Sequence, residues 1–239
     1  MKKSFNLQTK SHNINVITNG KDEFDNIVIC FHGFGGDKWG DTYSGLKKRL
    51  DNSLVASFDS CGHGESEVSL EDMRLDVILE EIKTVVNYFK EFNKPIILVS
   101  NSYGGYRVIE YLIKYKPDIS KVIYVNPAFN ILKTLESVKD FQYTQLKEND
   151  KVVVNKSLNK FIKKPFLDDL YNNNLYKQKY DIDYDTDIIV GTKDSLIPID
   201  DTLKISNMYG YKIIYVEDEH IFENKDNYQL VADIIKEIK

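Results

Sequence analysis

Short apolar runs of strand length alternate along the chain with longer stretches in which apolar residues recur every three or four positions. The short runs are rich in Val and Ile, and polar or glycine residues follow each of them. This alternation predicts a mostly parallel β-sheet with helices on both faces. The predicted core strands are 26–31, 54–58, 95–99, 121–125, 187–190 and 212–216.

The same pattern predicts an edge hairpin and several helices. Two runs in the first 20 residues, FNLQ and INVIT, are expected to form an antiparallel hairpin, which completes an eight-stranded sheet. Apolar spacings of three and four predict a long amphipathic helix over 70–89. Ser69 and Asp72 resemble a capping box at its start, with Asp in place of Glu or Gln. Further helices are predicted over 106–114, 201–208 and 229–238.

One segment interrupts this rhythm between strands 121–125 and 187–190. It contains about sixty residues, more than a single crossover helix needs. The segment is polar and rich in Asn and Lys, with a short hairpin strand predicted at 151–154. We expect a cap insertion at about 128–185 that lies over the carboxyl edge of the sheet, where open α/β sheets bind ligands. The rest of 1–239 is expected to form one domain with it.

Composition indicates a globular protein and argues against nucleic-acid-binding and membrane-spanning classes. The 239 residues are 42% hydrophobic, enough for a sizeable core, and the net charge of −5 argues against a dedicated nucleic-acid-binding protein. No apolar run approaches the length of a transmembrane helix, and no apolar segment follows the basic N-terminus as in a signal peptide. Cys30 and Cys61 are expected to be free thiols in a reducing compartment. The cytoplasm is therefore the expected location.

The strongest chemical signal is the hexapeptide SNSYGG at 100–105, which follows a predicted strand and precedes a predicted helix. A nucleophile elbow requires this strand–turn–helix context, with small residues two positions before and after the nucleophile. Ser100 and Gly104 satisfy that requirement around Ser102. Ser102 is therefore the predicted nucleophile, and a plain serine-rich turn is the alternative.

A second signal is the glycine-rich loop HGFGG at 32–36, which follows the strand 26–31. Such a loop lets backbone N–H groups point into a site, and the residue after the nucleophile supplies another N–H group. The predicted oxyanion donors are the N–H groups of Phe34 and Tyr103. A generic glycine turn is the alternative, whereas a phosphate loop is disfavoured because neither phosphate-binding glycine pattern is present.

A serine nucleophile needs a base and a group that orients the base. Of the four histidines only His220 follows Ser102, as the order Ser, acid, His requires. Asp194 ends a predicted strand at the same edge of the sheet and is the predicted acid. Four other aspartates are alternatives. Asp185 and Asp187 lie at the start of that strand. Asp200 and Asp201 lie where the next helix begins and are predicted to cap it.

Two other features are interpreted as structural. Cys61 and His63, in the loop DSCGHGES, lack two further partners at metal-binding spacing, so no metal site is predicted and a tight glycine loop beside the site is favoured. Trp39, Tyr43 and the tyrosines of the insertion are expected to be mainly packing residues. A few of them would line a substrate pocket.

Over about 24–239 the chain resembles the α/β-hydrolase superfamily of serine hydrolases. The resemblance rests on five motifs in this order: HGFGG, FDSCGHGES, SNSYGG, GTKDSLIP and EDEH. Within that superfamily the chain is most similar to the small bacterial cinnamoyl/feruloyl-esterase or monoacylglycerol-lipase-like branch, in which a short cap follows the sixth strand. The stretch 164–170 also resembles that branch. The departures are Ser100, where the motif usually has Gly, and Ser60 with Cys61 before Gly-His-Gly. Neither removes a group that the resemblance implies for the site: Ser102, Asp194, His220, Phe34 and Tyr103.

These observations predict an enzyme that cleaves a small-molecule carboxylic ester through an acyl-enzyme, with no metal or organic cofactor. An acyl thioesterase or a peptidase with the same triad is an alternative, and a cofactor-free lyase on this fold stays open. A haloalkane dehalogenase is excluded because the nucleophile position holds Ser rather than Asp. A non-catalytic protein that binds a small ligand is the alternative from another class. The sequence does not indicate the oligomeric state.

Overall fold

The computed structural model describes residues 3–136, 151–155, 160–173, 175–177 and 179–238. Its centre is a mixed, mostly parallel sheet of eight strands, and a separate two-stranded sheet lies in the segment between the sixth strand and the next strand of the main sheet. In chain order the ten strands are β1 (Lys3–Gln8), β2 (Asn13–Asn19), β3 (Asn26–Phe31), β4 (Ser53–Phe58), β5 (Ile96–Asn101), β6 (Lys121–Val125), β7 (Lys151–Asn155), β8 (Lys160–Lys163), β9 (Thr186–Gly191) and β10 (Lys212–Val216).

The strand order in the main sheet is β1-β2-β4-β3-β5-β6-β9-β10. The β1–β2 hairpin is antiparallel and lies at one edge, as predicted, and β2 pairs antiparallel with β4. All pairs from β4 to β10 are parallel, so the carboxyl ends of these six strands meet at one edge of the sheet. The predicted core strands are confirmed, with ends that differ by at most two residues.

Helices cover both faces of the sheet, which confirms the predicted fold class. They are α1 (Asp41–Leu46), α2 (Leu75–Lys90), α3 (Tyr103–Tyr115), α4 (Ile131–Glu136), α5 (Lys164–Asn172), α6 (Ile199–Tyr209) and α7 (Asn227–Lys236). Successive side chains of β3 point to opposite faces. Ile29 therefore joins the core under α2 and α3, whereas Val28 joins the core under α1 and α7.

The predicted helix over 70–89 is two elements rather than one. Residues Leu70–Asp72 form a single 3₁₀ turn, the backbone is extended at Met73, and α2 starts only at Leu75. Ser69 accepts a hydrogen bond from the Asp72 N–H group at 3.3 Å, so its cap belongs to the 3₁₀ turn. The apolar period continues through the break because Leu70 and Met73 pack against the same core as α2.

Asp169 of α5 caps the true start of α2, since its carboxylate accepts from the Leu75 N–H group at 3.0 Å. This cap comes from a residue 94 positions away along the chain. No local capping pattern can reveal such a partner.

The segment between β6 and β9 contains α4, the antiparallel pair β7–β8 and α5, and it includes 137–150 and 156–159, which lie outside the described residues. The strand predicted at 151–154 is present as β7. Phe166 of α5 is fully buried, and its ring packs edge-on against Tyr103 at the start of α3, with centroids 6.4 Å apart. This contact places α5 beside the start of α3, at the carboxyl edge of the sheet. Across the ranges given above, no helix is both long and apolar enough to span a membrane.

Candidate active site

Ser102 occupies the sharp turn between β5 and α3, as predicted. Its backbone has φ 51° and ψ −121°, a conformation that costs energy for any residue other than glycine. The Ser102 N–H group donates to the Val125 carbonyl at 3.1 Å, and its carbonyl accepts from the N–H groups of Gly105 and Ala128 at 2.8 and 2.9 Å. These bonds hold the strained turn in place and present the hydroxyl at the carboxyl edge of the sheet.

Gly104 allows α3 to approach the end of β3. A Cβ atom at this position would lie 2.7 Å from the Phe31 carbonyl oxygen and 3.0 Å from that of His32. These are backbone atoms, so they cannot move aside as the end of a flexible side chain can. The small residue predicted two positions after Ser102 is therefore a steric requirement of this turn.

The structure brings Ser102, His220 and Asp194 together. His220 Nε2 lies 2.9 Å from Ser102 Oγ, and His220 Nδ1 lies 2.7 Å from Asp194 Oδ2. The other carboxylate oxygen, Asp194 Oδ1, accepts from the backbone N–H groups of Leu196 and Ile197 at 2.9 and 3.0 Å. In this arrangement the carboxylate can hold the imidazole so that Nε2 accepts a proton from the serine.

The rival acids lie elsewhere. Asp185 and Asp187 form ion pairs with Lys121, at 2.6 and 2.8 Å. These pairs lie at the start of β9 and hence at the opposite end of the sheet.

Asp200 and Asp201 do not cap α6 as predicted. The helix starts two residues earlier than predicted, at Ile199, a proline occupies its N-cap, and the two carboxylates lie in its first turn. There they face the positive end of the helix dipole, which explains why acidic residues are favoured at these positions.

Two backbone donors flank the serine. The N–H groups of Phe34 and Tyr103 donate no hydrogen bond to any group that the structure describes. Tyr103 is the first residue of α3, where N–H groups lack partners within the helix. Both residues line the same cavity as Ser102. The arrangement suits the stabilisation of an oxyanion formed at the serine.

His32 anchors the loop that carries Phe34. Burial, reinforced by the nearby charges of Arg107 and His63, holds the pKa of His32 well below its usual value, so the imidazole is neutral. Its Nδ1 donates to the Gly33 carbonyl at 2.8 Å, and its Nε2 accepts from the Ser60 N–H group at 3.1 Å. A neutral ring with the proton on Nδ1 satisfies both contacts. Arg107, fully buried on α3, donates through Nη2 to the His32 carbonyl.

The glycine loop at 59–66 lies beside the site, as predicted. Glu81 of α2 holds it by accepting from the Cys61 N–H group at 2.8 Å and from Ser60 Oγ at 3.2 Å. The His63 ring packs on the rings of Tyr103 and Phe34, with centroids 5.8 and 5.0 Å away. Both cysteines are free and buried. No group of three or more His, Cys, Asp or Glu side chains that could hold a metal was found among the described residues.

A cavity of about 480 Å³ opens at Ser102 and His220. Its lining is mainly apolar and includes Phe34, Tyr43, Ile131, Leu135, Leu196 and Ile221. Tyr43 is buried in the wall, whereas half of Trp39 is exposed, so a packing role fits Trp39 less well. An apolar group attached to a carbonyl at Ser102 can enter this space.

Other buried residues shape the site with little local sequence signal. Asp218 accepts from the Glu219 and Glu223 N–H groups at 2.8 and 2.9 Å and thereby folds the loop that carries His220. Asn126 follows β6 and bonds to the same loop. An Asn-Pro pair at the end of a buried strand is the only hint of the second residue in the sequence.

Comparisons with known proteins place this chain in a family. The profile of the family described as serine aminopeptidase S33 (Hydrolase_4) matches residues 22–199. Human (Homo sapiens) monoacylglycerol lipase ABHD6 is 32% identical over 103 residues, which cover 42% of this chain but only 30% of that protein. The match thus spans less than a third of the length of this curated relative.

Solved structures share the fold at low sequence identity. Est1E from Butyrivibrio proteoclasticus, with ferulic acid bound, superposes with a TM-score of 0.84 at 18% identity and covers 98% of both chains. Mouse α/β-hydrolase domain-containing protein 10 superposes with a TM-score of 0.79 at 15% identity, over 98% of this chain and 97% of its own. The chain therefore has the α/β-hydrolase fold and belongs to the serine aminopeptidase S33 (Hydrolase_4) family.

Proposed function

We propose that the protein is a serine hydrolase that cleaves carboxylic esters, with Ser102, His220 and Asp194 as its catalytic triad. One observation carries the proposal. Two short hydrogen bonds, of 2.9 and 2.7 Å, join these three side chains at the mouth of an apolar cavity. This is the geometry that activates a serine hydroxyl as a nucleophile.

In the proposed reaction His220 Nε2 takes the proton of Ser102 as its oxygen attacks the ester carbonyl. The N–H groups of Phe34 and Tyr103 hold the oxyanion, and each such donor contributes about 10²–10³-fold to kcat. His220 then returns the proton to the departing alcohol, leaving an acyl group on Ser102. A water molecule deprotonated by His220 releases the acid and restores the serine.

The lining of the cavity favours an apolar acyl group of small or medium size. Relatives agree with an ester substrate: one is named a monoacylglycerol lipase, and another was solved with ferulic acid, an aromatic acid, bound. We further propose that the chain is one domain, in which the insertion at about 128–185 covers the carboxyl edge and sets the preference for acyl and alcohol groups.

A peptidase is the second candidate, because the family is named after a serine aminopeptidase. An aminopeptidase needs carboxylates to bind the ammonium group of its substrate. Two line the cavity, but Asp41 pairs with Lys225 at 2.9 Å, and Asp37 accepts from the Trp39 N–H group at 2.8 Å. The mainly apolar lining therefore favours the ester.

A substrate panel tests the proposal. Wild type, Ser102→Ala and Ser100→Ala are assayed with p-nitrophenyl esters, methyl ferulate, acyl-CoA thioesters and aminoacyl p-nitroanilides. Ser100 is the matched control, because it lies two residues before Ser102 in β5 and its buried hydroxyl has no hydrogen-bond partner among the described residues.

We expect ester hydrolysis by wild type, a loss of about 10⁴–10⁶-fold in kcat for Ser102→Ala, and little change for Ser100→Ala. Cleavage of anilides without esters would favour the peptidase. Ester hydrolysis that survives in Ser102→Ala would refute the mechanism.

A further inference from the structure

The side-chain amide of Asn126 forms hydrogen bonds to two loops of the site through both its nitrogen and its oxygen. Asn126 is 1% exposed and follows β6 directly. Its Nδ2 donates to the carbonyls of Glu219 and His220 at 3.0 and 2.9 Å, and its Oδ1 accepts from the Gly191 N–H group at 2.6 Å. One side chain thus contacts both the loop that carries His220 and the end of the strand that leads to Asp194.

The strand order explains why such a contact is needed. Ser102 follows β5, whereas His220 follows β10, and both β6 and β9 lie between these strands in the sheet. The β10 loop must therefore reach back across two strands to bring His220 within 2.9 Å of Ser102. Asn126 stands at the end of β6, under the path of that loop.

The backbone on either side of Asn126 ties it to the serine. The carbonyl of the preceding residue, Val125, accepts from the Ser102 N–H group at 3.1 Å. The Asn126 N–H group donates to the Ile189 carbonyl of β9 at 2.8 Å. The position is therefore fixed to the elbow on one side and to β9 on the other.

The two loops that Asn126 holds are already joined to each other. The Lys193 N–H group donates to the Asp218 carbonyl at 2.9 Å, and a Cβ atom at Gly191 would lie 2.5 Å from that same oxygen. They can move as one unit, which carries both His220 and Asp194. The bonds of Asn126 fasten this unit to the strand beside the serine.

We infer that Asn126 is a positioning residue of the proposed reaction, which sets the distance between His220 and Ser102. The inference rests on the proposed function. Without the amide, the bond between His220 and Asp194 survives, because their loops stay joined, but the pair shifts relative to the serine. A displacement of about 1 Å at reacting groups lowers rates by about 10²-fold.

The backbone of Asn126 suggests clean variants. Its φ of 43° lies in the left-handed region, where Gly, Asn and Asp are favoured. Asn126→Gly removes the side chain and keeps this backbone conformation accessible. Asn126→Asp keeps the size and the acceptor for Gly191 but has no donor for the two carbonyls. Asn93 has φ 52° on an exposed turn, so Asn93→Gly is the matched control.

The experiment measures kcat and KM with a p-nitrophenyl ester, per active site counted by exhaustive fluorophosphonate labelling. We expect kcat to fall about 100-fold in Asn126→Gly and at least about tenfold in Asn126→Asp, with KM within about threefold of wild type. The rate of fluorophosphonate inactivation should fall in parallel, while Asn93→Gly matches wild type. The downfield proton resonance of His220 Nδ1–H should persist in Asn126→Gly, because its bond to Asp194 is retained.

A purely structural role predicts a different result. If Asn126 only stabilised the fold, its replacement would lower the fraction of folded enzyme without changing kcat per active site. A kcat within about threefold of wild type in Asn126→Gly would overturn the inference. Failure of both variants to fold would also overturn it, since the residue would then serve stability alone. Absence of ester hydrolysis and of labelling in wild type would instead refute the proposed function.

Discussion

Replacing Asp194 with Asn provides a sharp test of the proposed triad, because the surrounding donors determine how the new amide lies. Asp194 Oδ1 accepts from two backbone N–H groups, those of Leu196 and Ile197, at 2.9 and 3.0 Å. In Asp194→Asn the amide oxygen must take that position, since an NH₂ group there would face two donors. The NH₂ group then faces His220 Nδ1, 2.7 Å from the replaced oxygen.

The consequence is a change of tautomer. A ring nitrogen that faces an NH₂ donor must accept, so the proton of His220 moves to Nε2, which lies 2.9 Å from Ser102 Oγ. A protonated Nε2 cannot take the serine proton. The same exchange in a Ser-His-Asp protease lowers kcat by about 10⁴-fold, which corresponds to about 5 kcal/mol of transition-state stabilisation.

The assay is steady-state hydrolysis of a p-nitrophenyl ester near pH 7, with Asp200→Asn as the control. Asp200 is an exposed carboxylate in the first turn of α6, only six residues away in the chain, so its replacement should leave kcat within about threefold of wild type. Because an amide side chain has the same size and shape as the carboxylate it replaces, the thermal midpoint of Asp194→Asn should change little. If Asp194→Asn kept kcat within about tenfold of wild type, the tautomer argument would be wrong.

Three further predictions concern buried groups. Tyr43→Phe should raise the free energy of unfolding by about 1 kcal/mol in urea titrations, because the buried hydroxyl has no described hydrogen-bond partner; a loss of similar size would contradict this. Burial raises the pKa of Glu110 to about 8, so the folded state holds a proton that the unfolded state loses above about pH 4.5. Stability should therefore fall with rising pH in this window, by up to about 1.4 kcal/mol per pH unit, and Glu110→Gln should flatten the profile. Burial also raises the pKa of Cys30 and Cys61, so neither thiol should react with Ellman's reagent before unfolding.

The central sheet was predictable because its strands are continuous apolar runs, as expected for strands buried on both faces. The pairing of Ser102 with His220 could be predicted because the strand–turn–helix motif has a strict local pattern and because a single histidine follows it in the chain. The helix break at Met73 could not be predicted, because the apolar period runs through it unchanged.

The elements β8, α4 and α5 were not predictable in the same way. They are short and lie in a polar segment, and α5 is held by tertiary contacts such as the burial of Phe166 against Tyr103. The role of Asn126 could not be predicted from the sequence for a related reason. Its side-chain partners lie 65, 93 and 94 positions away along the chain, and no neighbouring residue identifies them. Partners brought together only by the fold leave no local pattern in the sequence.

The most direct test of the central claim is the intact mass of the protein after incubation with a small fluorophosphonate. The reagent labels a serine only when a neighbouring base activates it. We predict one covalent adduct on wild type and on Ser100→Ala, and none on Ser102→Ala. An unlabelled wild type that is folded by circular dichroism, or an adduct that persists on Ser102→Ala, would contradict the assignment of Ser102 as the nucleophile.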